Sequence, residues 1–139
     1  MQYLHNTVTL AKSAYKEYEN KQPDTKNNFK DKYIFEKRKM ESEKILVEYP
    51  NRIPIIVERY NKGAPEIDRK KYLAPEDLSL ANFLYVIRKR LYLKPEKSIY
   101  LFINNKLLPM SKSLGDIYDS NSDEDGFLYI KYCEESTFG

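Results

Sequence analysis

The sequence predicts an α+β domain in which one long amphipathic helix lies across a sheet. Three observations carry this. Leu80, Phe83, Leu84, Ile87 and Leu91 recur at i, i+3, i+4, i+7 and i+11, the stripe of a helix packed on a flat apolar surface. Short β-branched or aromatic runs stand before that helix, at Ile53-Pro54-Ile55-Ile56-Val57, and after it, at Ile99–Ile103 and Phe127–Cys133. At 139 residues, 41% hydrophobic and 32% charged, the chain fits one globular domain with some residues to spare.

In chain order, residues 1–31 read as an extension, rich in Lys, Asn, Gln and Asp and broken at Gln22-Pro23-Asp24. Val8, Ala11, Ala14, Tyr15 and Tyr18 allow a weak helix there, and disorder is the alternative. Residues 33–49 predict a helix, because Lys37–Glu48 holds no Gly or Pro and is dense in helix formers. Met40, Glu41 and Ile45 are expected on one face, and Pro50 ends the helix. The Ile53–Val57 strand contains Pro54, which argues for an edge or a strand end. Asn61-Lys62-Gly63 is turn chemistry. Lys71–Pro75 reads as a second short strand and another edge candidate. Ser79 caps the long helix, Arg88, Lys89 and Arg90 suit its C-terminal dipole, and Pro95 stops it. A buried strand follows at Ile99–Ile103, then an Asn104-Asn105 turn with a short return strand from Lys106-Leu107-Leu108. Leu114, Ile117 and Tyr118 predict a short helix, Ser120–Gly126 an acidic loop, and Phe127–Cys133 the last strand, inside the sheet. Two strands, a crossing helix and further strands make the β-grasp arrangement, with a domain over 32–133 and a free tail over 134–139.

Composition narrows the chemistry. Residues 1–72 carry 16 Lys/Arg against 11 Asp/Glu, a balance of +5; residues 73–139 carry 8 against 10, a balance of −2. A basic front and an acidic back argue against a nucleic-acid stripe. Cys133 is the sole cysteine and His5 the sole histidine. Disulfides are thereby excluded within the chain, a reducing compartment fits, and Ser/His/Asp, Cys/His or metal sites have nothing to stand on. Cys133 sits in an apolar run and reads as a packed thiol. No stretch predicts a membrane span, so membrane contact is expected through a surface or an added lipid. The last two residues are Phe138-Gly139. A glycine carboxylate is unhindered at its carbonyl, and glycine threads a narrow channel without a Cβ clash.

Several segments taken together resemble the autophagy ubiquitin-like modifiers of the GABARAP type. They are Phe35-Glu36-Lys37-Arg38-Lys39, Pro50-Asn51-Arg52-Ile53-Pro54, Pro65-Glu66-Ile67-Asp68, Lys71-Tyr72-Leu73, Phe83–Arg90 and Asp125-Gly126-Phe127-Leu128-Tyr129. The resemblance covers about residues 33–139 and implies a ubiquitin-like β-grasp fold with additional N-terminal helices. It implies a modifier rather than an enzyme, with no cofactor. Gly139 would be activated by an E1-like enzyme, passed to an E2-like conjugating enzyme and joined to phosphatidylethanolamine. A cysteine protease, gripping Phe138, would process the tail or release the lipid.

The resemblance also implies recruitment of autophagy receptors bearing aromatic-x-x-aliphatic motifs. Glu41, Ile45, Pro54, Ile56, Lys71, Leu73 and Phe127 would line the aromatic pocket. Tyr72, Pro75, Leu78, Phe83 and Val86 would line the aliphatic pocket, and Arg52 and Arg90 would meet flanking acidic residues. By pattern alone Ile45, Ile56, Leu73 and Val86 read as core, and Lys71 and Arg52 as solvated charges. The implied location is cytoplasmic, and on the autophagosome or a related organelle membrane after lipidation. The extension is longer, and the Tyr60–Ala64 loop one residue shorter, than the family pattern. A non-lipidated adaptor with the same fold is the competing reading.

Overall fold

The computed structural model describes residues 28–135. Residues 1–27 and 136–139, with the weak helix expected at Val8–Tyr18 and with Phe138 and Gly139, lie outside the described residues. The described elements are α1 (Phe29–Lys32), α2 (Phe35–Glu48), β1 (Arg52–Arg59), β2 (Lys71–Pro75), α3 (Leu80–Arg90), β3 (Ile99–Phe102), α4 (Leu114–Asn121) and β4 (Leu128–Glu134).

The four strands form one sheet in the order β2-β1-β4-β3. β1 pairs antiparallel with β2 and parallel with β4, and β3 pairs antiparallel with β4. The last strand thus sits inside the sheet, as the β-grasp reading expects. Because strand side chains alternate, β1 feeds two separate cores. Ile53, Ile55 and Val57 join a large aliphatic cluster with Leu80, Phe83 and Ile87 of α3. Ile56 faces the other way, into a small cluster with Phe29 and Phe127, flanked by Ile45 and Tyr129. The serine caps act as the sequence predicts. Ser79 Oγ accepts from the Asn82 N–H at 3.1 Å and Ser113 Oγ from the Asp116 N–H at 3.2 Å.

Five details depart from the sequence reading. The boundary expected between residues 31 and 32 falls inside α1. Phe29 is 7% exposed and its ring meets Phe127 edge-on at 5.3 Å, so the folded body starts before residue 31. Pro54 lies in an interior strand. The Val57 N–H bonds to Lys70 O and the Glu76 N–H to Asn51 O. Antiparallel alternation therefore turns the nitrogen of Pro54 toward β4, one residue before that pairing begins at Ile55. Met40 points outward, 70% exposed. The return strand at Lys106 is a single bridge to Ile103. Finally, α3 ends four residues short of Pro95. The Tyr92 N–H bonds to Lys89 O and the Leu93 N–H to Arg88 O, with Tyr92 at φ 54°. That pair of bonds is a Schellman motif, closed here by a tyrosine instead of glycine.

Candidate functional site

β2 is an edge strand, and among the described residues no strand covers its outer side. The pairing parity that commits Tyr72 and Ala74 to β1 leaves the N–H and C=O groups of Lys71 and Leu73 pointing outward. An unpaired row of this kind is a template for an added strand.

On the α2 side of this edge lie the residues expected to form the aromatic pocket. Pro54, Ile56 and Phe127 form a buried floor, the last two with no exposed surface. Leu73, 39% exposed, forms the accessible lip. Ile45 is half-buried. Lys71 reaches from β2 to α2 and pairs with Glu41, so an ion pair bridges the depression. The Lys71 ammonium also lies 5.6 Å from the Phe29 ring centroid. Phe29 itself packs on Ile56 and Phe127. The sequence reading assigned Phe29 to the extension and gave it no place in the site.

On the α3 side, Phe83 is the floor at 1% exposed, and Tyr72 stands edge-on to it at 5.6 Å and 89°. Val86 is open at 39% and Leu78 is half-buried. By alternation Pro75 shares its face with Lys71 and Leu73, at the end of the strand, whereas Ala74, 5% exposed, stands beside Tyr72. Period-two parity applied to Lys71–Pro75 finds Ala74 from the sequence. The Tyr72 hydroxyl is buried with no hydrogen-bond partner. Burial pushes its pKa up, partly opposed by the nearby Arg90 charge. Of the two expected flanking cations, Arg90 donates from Nε to Asp68 Oδ1 at 2.8 Å. Arg52 is exposed and has no carboxylate partner among the described residues.

A buried polar clamp fixes α2 over the sheet and so fixes the aromatic-side depression. Asp125, with no exposed surface, accepts from the Phe127 N–H at 2.9 Å and the Tyr129 hydroxyl at 2.5 Å, and lies 3.4 Å from Arg38 Nη1. Burial and the Asp125 carboxylate both raise the Tyr129 pKa. Ser42 of α2 donates to Asp125 O at 2.5 Å. Gly126 is at φ +90°, and a Cβ there would come within 2.3 Å of Ser42 Oγ, so the approach of helix to loop requires glycine. Cys133 is 2% exposed, and burial raises its thiol pKa, as suits a packed side chain.

The β2 side offers an open main-chain edge with a partly open apolar side chain on either face, Leu73 on one and Val86 on the other. Comparison with known proteins bears on the family. The family described as "Autophagy protein Atg8 ubiquitin like" matches residues 37–139. Autophagy-related protein 8 of Saccharomyces cerevisiae is 51% identical over 115 residues, covering 82% of this chain and 98% of that protein. Autophagy-related protein 8d of Arabidopsis thaliana is 50% identical over 114 residues, covering 81% and 95%. Among solved structures, Trypanosoma brucei ATG8 superposes with a TM-score of 0.76 at 41% identity, covering 83% of this chain and all of that one. Plasmodium falciparum Atg8 in complex with a Plasmodium falciparum Atg3 peptide gives 0.72 at 35% identity, covering 76% and 94%. With its β-grasp sheet, its open β2 edge and these matches over most of its length, the chain belongs to the Atg8 family of ubiquitin-like autophagy proteins.

Proposed function

We propose that this chain is a modifier joined through the Gly139 carboxylate to phosphatidylethanolamine, and that its β2 edge recruits partners with aromatic-x-x-aliphatic motifs. The observation that carries the reading is the edge itself: outward Lys71 and Leu73 main-chain groups, with partly exposed apolar side chains on either face, Leu73 on one and Val86 on the other. Residues i and i+3 of an added strand point to opposite faces, which matches one anchor on the Leu73 side and one on the Phe83 side. A buried aromatic contributes ~4–6 kcal/mol and an aliphatic anchor roughly 1.5–3. Ordering the peptide removes several, leaving roughly micromolar affinity. Arg52, free of an internal carboxylate among the described residues, is the better placed cation for an acidic flank. Arg90 must first release Asp68.

In the lipid step the chain is acyl donor and not enzyme. The E1-like enzyme, the E2-like enzyme and the cysteine protease supply the catalysis, and the Atg3 peptide held by the Plasmodium relative supports a conjugating-enzyme partner. Among the described residues no helix is long and apolar enough to cross a membrane. One acyl chain holds a protein to a bilayer reversibly, whereas two chains hold it stably. Coupling to a two-chain phospholipid therefore converts a cytoplasmic domain into one fixed on an autophagosome or related organelle membrane. Reconstitution with the E1-like and E2-like enzymes and phosphatidylethanolamine vesicles tests this. A gel-shifted adduct that Gly139→Ala abolishes is expected, and its absence would leave a peptide-binding adaptor.

A further inference from the structure

The C-terminal turn of α3 and the loop over 91–98 form a surface that the β2 edge does not use. Tyr92 is 88% exposed and Tyr85 60%. With Lys89, Leu93, Lys97 and Ser98 they line an open cleft of about 590 Å³. The Lys89 ammonium lies 4.5 Å over the Tyr85 ring. Arg88, Lys89, Lys94 and Lys97 bring four positive charges and Glu96 one negative, a local balance of +3. Lys89, Lys94 and Lys97 are exposed and have no carboxylate partner among the described residues. The loop is held in place by Arg88, which donates from Nη1 to Lys97 O at 2.5 Å and from Nη2 to Lys94 O at 3.0 Å. Tyr92 occupies a left-handed position, φ 54°, at a cost of roughly 1–2 kcal/mol that glycine avoids. Strain kept at an exposed aromatic, in a basic loop held rigid from below, suits a contact surface.

The chain's tail leaves from the same place. The Glu135 N–H donates to Ser98 O at 3.0 Å, and Ser98 lines the cleft. The Glu135 carboxylate turns to the Tyr100 hydroxyl at 3.4 Å, on the sheet face opposite α3, away from the lysines. Gly139 is four residues further on, and four extended residues reach at most about 14 Å. A lipid on Gly139 therefore keeps the end of the molecule that carries Ser98 close to the bilayer.

We infer that the surface formed by Tyr85, Lys89, Tyr92, Lys94 and Lys97 docks on anionic lipid headgroups and orients the chain on its membrane. The inference rests on the lipid reading above for the tether's chemistry. The partner follows from chemistry on the page: unpaired lysines to attract a negative surface, exposed tyrosines for the headgroup layer, and a short tether beside them. Held in this way, the chain turns one end to the membrane and leaves the rest of its surface to solvent.

The test bypasses enzymatic conjugation. The chain contains no tryptophan, so Tyr92→Trp is a sole reporter at the most exposed aromatic among the described residues. Gly139→Cys in the full chain couples to a maleimide lipid, while buried Cys133 stays unreacted. The product is anchored on phosphatidylcholine vesicles with or without phosphatidylserine. On phosphatidylserine vesicles the emission should move to shorter wavelength and acrylamide quenching should fall; on neutral vesicles neither should change. Each lysine near an anionic surface is worth about fivefold in binding. Lys94→Glu with Lys97→Glu should therefore abolish the response, and circular dichroism checks the fold. Identical emission on both vesicle types overturns the inference. So does a response that survives the charge reversal, or capture of polyglutamate with no vesicle response, which would assign the surface to an acidic protein. A vesicle response alongside failed enzymatic conjugation would keep the surface and discard the lipid reading.

Discussion

The two faces of the sheet are built on different principles. The α3 face is a large, mainly aliphatic core drawn from every strand and from α3 and α4. The α2 face has a far smaller apolar cluster, centred on Phe29, Ile56 and Phe127, and relies on the Asp125 clamp to hold its helix down. Apolar burial is non-directional and tolerates rearrangement, whereas a buried charge pair demands one geometry. The stable face therefore sets the fold. The thinner face is the one at which a helix and a strand meet across an ion pair.

Removing the clamp is the largest disturbance to this contrast. Asp125→Ala leaves the Arg38 charge buried without its partner and orphans the Phe127 N–H and the Tyr129 hydroxyl. Stability should fall by about 3–5 kcal/mol in urea melts. A loss below about 1 kcal/mol would mean that apolar packing alone seats α2. Phe29→Ala should cost about 3 kcal/mol, and deletion of residues 1–31 at least as much, since it removes the same ring. An unchanged melting temperature in both would put Phe29 outside the cooperative unit. Leu73→Ala should weaken an aromatic-x-x-aliphatic peptide by about tenfold, roughly 1.4 kcal/mol, in calorimetric titration. The effect stays below a full core deletion because Leu73 is already 39% exposed in the free chain. Equal affinity for both proteins would remove Leu73 from the site. Tyr92→Gly should stabilise the chain by about 1 kcal/mol by relieving the left-handed strain, and an unchanged melting point would show that the tyrosine's contacts offset it.

The smallest expected effect is on pH. Burial alone would raise the Asp123 pKa, but hydrogen bonds from Lys30 and the Asp125 N–H outweigh it and the pKa is lowered from 3.8. A lowered carboxylate stabilises the fold above its unfolded value, and that contribution is lost as the pH falls through the folded value. Asp123→Asn should therefore flatten the acid limb of the stability curve below about pH 4. An unaltered limb would show that the Lys30 contact carries no linkage.

What was legible in the sequence followed the same division. The α3 stripe, the serine caps and the edge position of β2 could be read because hydrophobic period and turn chemistry are local signals. Phe29 could not, because its burial depends on two apolar side chains about 27 and 98 residues away, Ile56 and Phe127 being distant in sequence and adjacent only in the sheet. The Asp125 clamp was hidden for the same reason: an Asp in an acidic loop looks solvated until α2 lies on it. Pro54 misled because a proline's missing donor matters only on the side where a neighbour needs it. The resemblance named the expected pocket residues as a set, but it could not show that Glu41 and Asp68 already hold Lys71 and Arg90.

The parallel pairing of β1 with β4 has a consequence for biosynthesis. The strand made early, Arg52–Arg59, finds its central neighbour only when Leu128–Glu134 has been translated. Until then β1 and β3 are separate, with the middle of the sheet empty and its main-chain groups unpaired. Contacts so far apart in sequence close slowly, and a product stalled before residue 128 exposes sticky margins that invite chaperones and proteases. The sheet therefore lacks its central strand until most of these 139 residues have been made.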